Sequence, residues 1–244
     1  GHAQNLDAGT GCTVVICRQG AVAGVDVRGS APGTRETDLM RPGNLVDRAH
    51  AIVLSGGSAF GLAAADGVMN YLEEEGIGFD TGVAQVPIVG GAVLFDLAYK
   101  DSKIRPDAAM GYEACVNATT QKVEQGSVGA GTGATVGKVL GMDSAMKSGI
   151  GTASIRLPGG IVVGAIVAVN AFGDVVDLNN GNIIAGARDP QTGDFIDTCK
   201  YLMSTRKQET GFPGNTTIGI VATNAKLTKE QANKLASISH DGLA

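Results

Sequence analysis

Apolar positions along the chain form short β-like runs in two groups, with helical periodicity between and after them. Cys12 to Arg18 and Ala21 to Arg28 read as strands, and Gln19-Gly20 between them predicts a hairpin turn. Ala51 to Leu54 is a third apolar run, ending at Ser55-Gly56-Gly57-Ser58. A helix is predicted over 59–75, with Leu62, Val68, Met69 and Leu72 among its inner residues, Ser58 as N-cap and Gly76 as stop. Residues 86–94 predict a buried strand interrupted by Gly90-Gly91, and residues 106–118 a second helix with Pro106 in its first turn. The second half turns to β structure. Runs over 152–157 and 161–170 flank Pro158-Gly159-Gly160, a shorter one covers 174–178, and another covers 218–223. Thr228-Lys-Glu-Gln231 fits a capping box that opens the last helix. Strands in two groups with helices between and after predict a layered α+β fold.

Composition narrows the function classes. The chain has 244 residues and no low-complexity linker, so one domain over 1–244 is expected, burying roughly 70–75% of its unfolded surface. It lacks Trp, and only 4% of residues are aromatic, so Val, Ile, Leu and Ala must build the core. Glycine stands at 37 residues, about twice the usual ~7%, which points to tight turns and close backbone approach. Net charge is −5, with no basic run or aromatic-basic patch, so no nucleic-acid partner is expected. There is no apolar stretch of membrane-spanning length and no signal peptide at the start as given, so no membrane partner is expected either. Four cysteines without a CxxC pair read as those of a reduced, cytoplasmic protein. With three histidines only (His2, His50, His240), a zinc site or a Ser-His-Asp triad is disfavoured. An enzyme so poor in histidine needs another base, and an N-terminal amine would supply one.

Asn215-Thr216-Thr217-Ile218 lies between a polar segment over 204–214, read as an exposed loop, and the apolar run over 218–222. A hydroxyl at such a junction suits a chain that cuts itself: Thr216 attacks the Asn215 carbonyl, and ester hydrolysis frees the Thr216 amine. Asn-Thr-Thr before an apolar run is common and Thr is a good strand residue, so the pattern alone reads more readily as ordinary structure. Gly129-Ala-Gly131-Thr-Gly133-Ala134 has the letters of a dinucleotide fingerprint, but no strong strand precedes it and no acid follows at the required distance. Gly137-Lys138 fails as a phosphate-binding loop, because Thr132 and Val139 stand where glycine and a hydroxyl are needed. Ser55-Gly56-Gly57-Ser58 is either a tight turn or a presenter of backbone N–H groups. Lys138 by itself reads as a solvated surface lysine. Asn170 is either a turn former or an aimed hydrogen-bond donor.

Jointly, these segments resemble the DmpA-type family of self-processing N-terminal-nucleophile hydrolases, which includes L-aminopeptidase/D-esterases, β-peptidyl aminopeptidases and nylon-oligomer hydrolases. The stretches that carry the resemblance are GHAQN (1–5), GVDVRG (24–29), PGTRETDL (32–39), VLSGGSAFGL (53–62), RPD..MGYEA (105–114), VGAGTGATVGK (128–138), AIVAVNAFGDVVD (165–177) and GNTTIGIVATNA (214–225). The resemblance implies a four-layer αββα sandwich. It makes Asn215-Thr216 the self-cleavage bond, dividing the chain into 1–215 and 216–244. It also implies Thr216 as nucleophile, Asn170 as an oxyanion donor, Lys138 in the active site, and Ser55, Gly56, Gly57, Ser58 and Phe60 near the substrate. The implied reaction is hydrolysis of a small peptide, amide or ester through an acyl-enzyme, without metal or organic cofactor, in a homo-oligomer such as a tetramer. The alternatives are an uncleaved, inactive or binding-only relative, an acyltransferase like the ornithine acetyltransferases, and a nucleotide-binding module. Two departures stand out. Phe95 occupies a position where some relatives carry a tyrosine hydroxyl, and both ends look shorter than in the family, so an acidic or hydroxyl pair that supports the nucleophile has no counterpart here.

Overall fold

Five strands build a mixed sheet in the order β1 (His2–Asn5), β2 (Thr10–Val22), β4 (Arg48–Ser55), β5 (Val89–Val93) and β3 (Thr34–Arg35). All neighbours are antiparallel except β4 and β5. A second sheet has three antiparallel strands, β6 (Ile150–Arg156), β7 (Val162–Asn170) and β8 (Thr216–Thr223), with β7 in the middle. Among the described residues, four α-helices accompany them: α1 (Ala64–Glu74), α2 (Ala108–Val116), α3 (Thr198–Ser204) and α4 (Lys229–Ser239). This computed structural model describes residues 1–205 and 214–243.

Alternation along β4 sets the layers. Ala51 and Val53 pack with Val14, Val89 and the α1 residues Val68 and Leu72. Leu54 belongs to the opposite face and packs with Ile150, Ala168 and Ile218 of the second sheet. Helices cover one side of the large sheet and the small sheet covers the other, so the described residues build an α–β–β stack. The polar ends of β7 and β8 therefore lie beside the exits of β4 and β5.

Several local expectations change. Gln19-Gly20 is not a hairpin turn: β2 runs straight through it, with a register shift against β4 between Ile16 and Ala21. Gly20 has φ 69°, which serves a bulge as readily as a turn. The hairpin partner of β2 is β1. Residues 23–28 form no strand. Ala23 and Val25 pack near Met40 and Ala49, and the Val25 N–H donates to Asn233 of α4 at 3.2 Å. Ser58 is not an N-cap. It sits at φ 54° inside a 3-10 turn, Ser58–Ala63, and the α-helix begins only at Ala64. Gly90 and Gly91 lie inside β5 and do not interrupt it. Pro106 precedes the α2 cap, Asp107, whose carboxylate accepts from the Met110 N–H at 2.9 Å. Gly76 ends α1 at φ 67°, and the Thr228–Gln231 capping box opens α4, both as the sequence predicts. Of the predicted loop over 204–214, residues 206–213 lie outside the described residues.

Candidate active site

The register of the small sheet pairs Asn170, the last residue of β7, with Thr216, the first of β8. Paired Cα atoms in such ladders lie about 4.5–5.5 Å apart. Asn170 is fully buried, and its amide is saturated. Its Oδ1 accepts from Lys138 Nζ at 2.7 Å and from the Thr135 N–H at 3.1 Å. Its Nδ2 donates to the Gly214 carbonyl at 2.9 Å and to the Phe95 carbonyl at 2.9 Å. This orientation is forced, because a lysine only donates and a carbonyl only accepts.

Lys138 is 5% exposed and so is not the solvated surface lysine that its sequence position alone suggests. Burial penalises its charge and lowers its pKa to about 8. The result is a cation, held against an amide oxygen, that sits near neutrality. Gly214 is buried at φ 57°, one residue ahead of the predicted scissile bond. Beside it, the Asn215 side-chain oxygen is buried and has no hydrogen-bond partner among the described residues.

A shallow cleft opens here, lined by Phe95, Asp96, Tyr99, Thr135, Lys138 and Gly214, among others. Both Asp96 oxygens are engaged, one by the Thr10 hydroxyl at 2.7 Å and one by the Gly57 N–H at 2.7 Å. Burial raises the Asp96 pKa, and these hydrogen bonds oppose the rise. Lys147 donates to the carbonyls of Gly131, Ala134 and Ser148 at 2.8, 2.9 and 2.6 Å. It thereby staples the turn that leads into Thr135. Burial lowers its pKa to about 8 as well, against the pull of Asp96.

The structure thus brings Lys138, Asn170, Asn215 and Thr216 together. The Ser55–Phe60 turn is placed behind Asp96, and none of its predicted residues lines the cleft. The Ser55 hydroxyl donates to the Gly56 carbonyl, and the Ser58 N–H to the Leu94 carbonyl. Phe60 is exposed, with the Arg105 guanidinium 3.9 Å from its ring centroid. The Gly129–Gly131 segment is a 3-10 turn with no helix after it, unlike a dinucleotide-binding turn. Among the described residues, no three His, Cys, Asp or Glu side chains are grouped to hold a metal, and no helix is long and apolar enough to cross a membrane.

The sequence profile of peptidase family S58 matches residues 1–244. The chain belongs to this family. An uncharacterized aminopeptidase of Mycobacterium leprae is 44% identical across the whole chain, which covers 70% of that relative. A 6-aminohexanoate-oligomer endohydrolase of Kocuria sp. is 32% identical, again across the whole chain and over 66% of the relative. In fold, the chain is similar to a Burkholderia sp. beta-aminopeptidase, with TM-score 0.69 and 24% identity over all of this chain and 64% of that one. It is also similar to the L-aminopeptidase D-Ala-esterase/amidase of Ochrobactrum anthropi, described as a variant of the Ntn hydrolase fold, with TM-score 0.63 and 16% identity over 99% of this chain and 69% of that one. The S58 chain is therefore an α+β protein of the Ntn-hydrolase aminopeptidase fold, and the named relatives are peptidases or amide hydrolases. The chain spans about two thirds of the length of these proteins.

Sequence reasoning missed Thr135, Lys147 and Asp96. Asp96 left a faint signal, a carboxylate at the end of the apolar run over 86–95. Thr135 acts through its backbone, and Lys147 lies in a polar stretch, so neither left a side-chain pattern to find.

Proposed function

We propose that this S58 member is a self-processing amide hydrolase whose nucleophile is Thr216. The Thr216 hydroxyl attacks the Asn215 carbonyl carbon, and the amide nitrogen leaves as the new amine while an ester forms. Water then hydrolyses the ester, giving an Asn215 carboxylate and a Thr216 amine. That amine, with a reference pKa of about 7.7–8.0, takes the proton of its own hydroxyl when a substrate amide arrives. The substrate's amine departs, and water releases the acyl group. The resemblance makes Asn170 an oxyanion donor, but in the uncut chain both its Nδ2 protons are given to the Gly214 and Phe95 carbonyls, so its proposed role is to seat the acyl side of the bond. Lys138 holds Asn170 in the donating orientation, and its charge lowers the pKa of the neighbouring amine.

The observation that carries this reading is the wiring of Asn170. An amide donor, oriented by a buried lysine and paired in register with Thr216, points at the carbonyl next to the predicted scissile bond. The names of the relatives support a peptide or an amino-acid oligomer as substrate. The proposed active form is the two-piece protein, 1–215 with the segment from 216 onward, and a homo-oligomer is proposed from the resemblance. Replacing Thr216 by Ala tests the reading. Loss of both self-cleavage and amide hydrolysis is expected, and cleavage that persists at the same bond would overturn it.

A further inference from the structure

The residue ahead of the proposed cut is held in a way that constrains what the site can accept. Gly214 O takes a hydrogen bond from Asn170 Nδ2 at 2.9 Å, and Gly214 helps line the cleft. A Cβ on Gly214 would collide with the Phe95 ring, 2.8 Å from both Cε1 and Cγ and closer still to Cδ1. Real Cβ atoms do not come so close to a ring edge, so the Phe95 ring leaves room for a methylene and nothing more. The backbone at Gly214, φ 57°, is also one that glycine adopts most readily.

Hydrogen-bond accounting gives this contact a second meaning. Asn170 Nδ2 has two protons, and both are used. The Phe95 carbonyl belongs to the framework at the exit of β5. The Gly214 carbonyl belongs to the segment that ends at the cut. Only departure of Gly214 can free Asn170 to serve another carbonyl.

We propose that the Gly214 seat is an acyl-side substrate subsite and that Phe95 determines its selectivity. The proposal rests on Thr216 being the nucleophile, because the chain then serves as the first acyl donor bound at its own site. After the cut releases Gly214, an incoming acyl chain lays its penultimate carbonyl on Asn170 Nδ2 and an unsubstituted methylene against the Phe95 ring. The substrate class is an amide with glycine, or an equivalent unbranched unit, one position ahead of the residue whose carbonyl is attacked. Chains branched at that atom meet the ring and are excluded.

The test uses full-length protein, shown by mass to carry a free Thr216, and two anilides, N-acetyl-Gly-Asn-p-nitroanilide and N-acetyl-Ala-Asn-p-nitroanilide. The wild type is expected to favour the glycyl substrate in kcat/KM by roughly 10- to 100-fold, the range for forcing one extra methyl into a filled site. Phe95→Ala, with Phe95→Leu as the milder second variant, is expected to bring the ratio to within about threefold of one. A wild-type ratio near one overturns the proposal whatever the variants do, as does a ratio that survives loss of the ring. Failure of a processed protein to turn over the glycyl anilide also overturns the subsite and leaves the nucleophile assignment standing. Absence of a free Thr216 amine would remove both.

Discussion

Lys138→Met should stabilise the protein while it removes function. The lysine is 5% exposed, and burial lowers its folded-state pKa to about 8 against 10.5 for a free lysine. That difference of about 2.5 units corresponds to about 3 kcal/mol by which the charged form is penalised on folding at pH 7. Methionine fills similar space without charge. It gives up the 2.7 Å bond to Asn170 Oδ1, a loss of about 1–1.5 kcal/mol, since Oδ1 keeps the Thr135 N–H. The balance favours the variant by roughly 1.5–2 kcal/mol. The sign depends on pH. Because the folded pKa is lowered, the unfolded chain binds more protons between about pH 8 and 10.5, and wild-type stability climbs across that window. The variant lacks this climb, so its advantage shrinks above pH 8. Above 10.5 it turns into a deficit of about 1 kcal/mol, the lost hydrogen bond. Urea denaturation at pH 7 and near pH 10.5 measures both values, with Thr216→Ala in each protein so that both stay uncleaved. A variant less stable than its parent at pH 7, or a stability difference that does not change with pH, would refute the reasoning.

The other expectations concern the donor, the base and the framework. Asn170→Asp keeps an oxygen for Lys138, but it replaces the donor to the Gly214 and Phe95 carbonyls by an acceptor. Cleavage, followed by gel or mass against time, should slow by roughly 10-fold, the worth of one positioning hydrogen bond of about 1–1.5 kcal/mol. Activity of the processed enzyme should rise with pH as the Thr216 amine loses its proton. The midpoint should lie below the reference of about 7.7–8.0 because of the Lys138 charge, and it should move upward for any residual activity of Lys138→Met. Thr10→Val leaves Asp96 Oδ2 without its 2.7 Å partner and should cost about 1.5–3 kcal/mol, read as a lowered thermal midpoint.

Local signals were the legible part of the sequence. The capping box at Thr228 and Gln231 is complete within four residues, and α4 starts where it says. The small sheet was readable because β7 and β8 are apolar runs bounded by turn formers. Gln19-Gly20 was misread because a left-handed glycine serves a bulge and a hairpin equally, and only the pairing of β2 with β4 decides between them. Ser58 looked like a cap, yet its N–H is claimed by Leu94 across the sheet. The α+β class followed from the order of the strand and helix patterns. The layering with a second sheet, and the family itself, came from the resemblance and agree with the family match and the related folds. The burial of Lys138 was not legible by itself, because Asn170, 32 residues further along, creates its environment. The pairing of Asn170 with Thr216 spans a still longer separation and depends on sheet register, which no local pattern encodes.

Intact mass of the full-length protein under denaturing conditions tests the central claim most directly. Two species are predicted, one ending at Asn215 and one beginning at Thr216, and Thr216→Ala should give a single uncut chain. A wild type that stays in one piece, while it hydrolyses amides, would contradict an N-terminal Thr216 nucleophile.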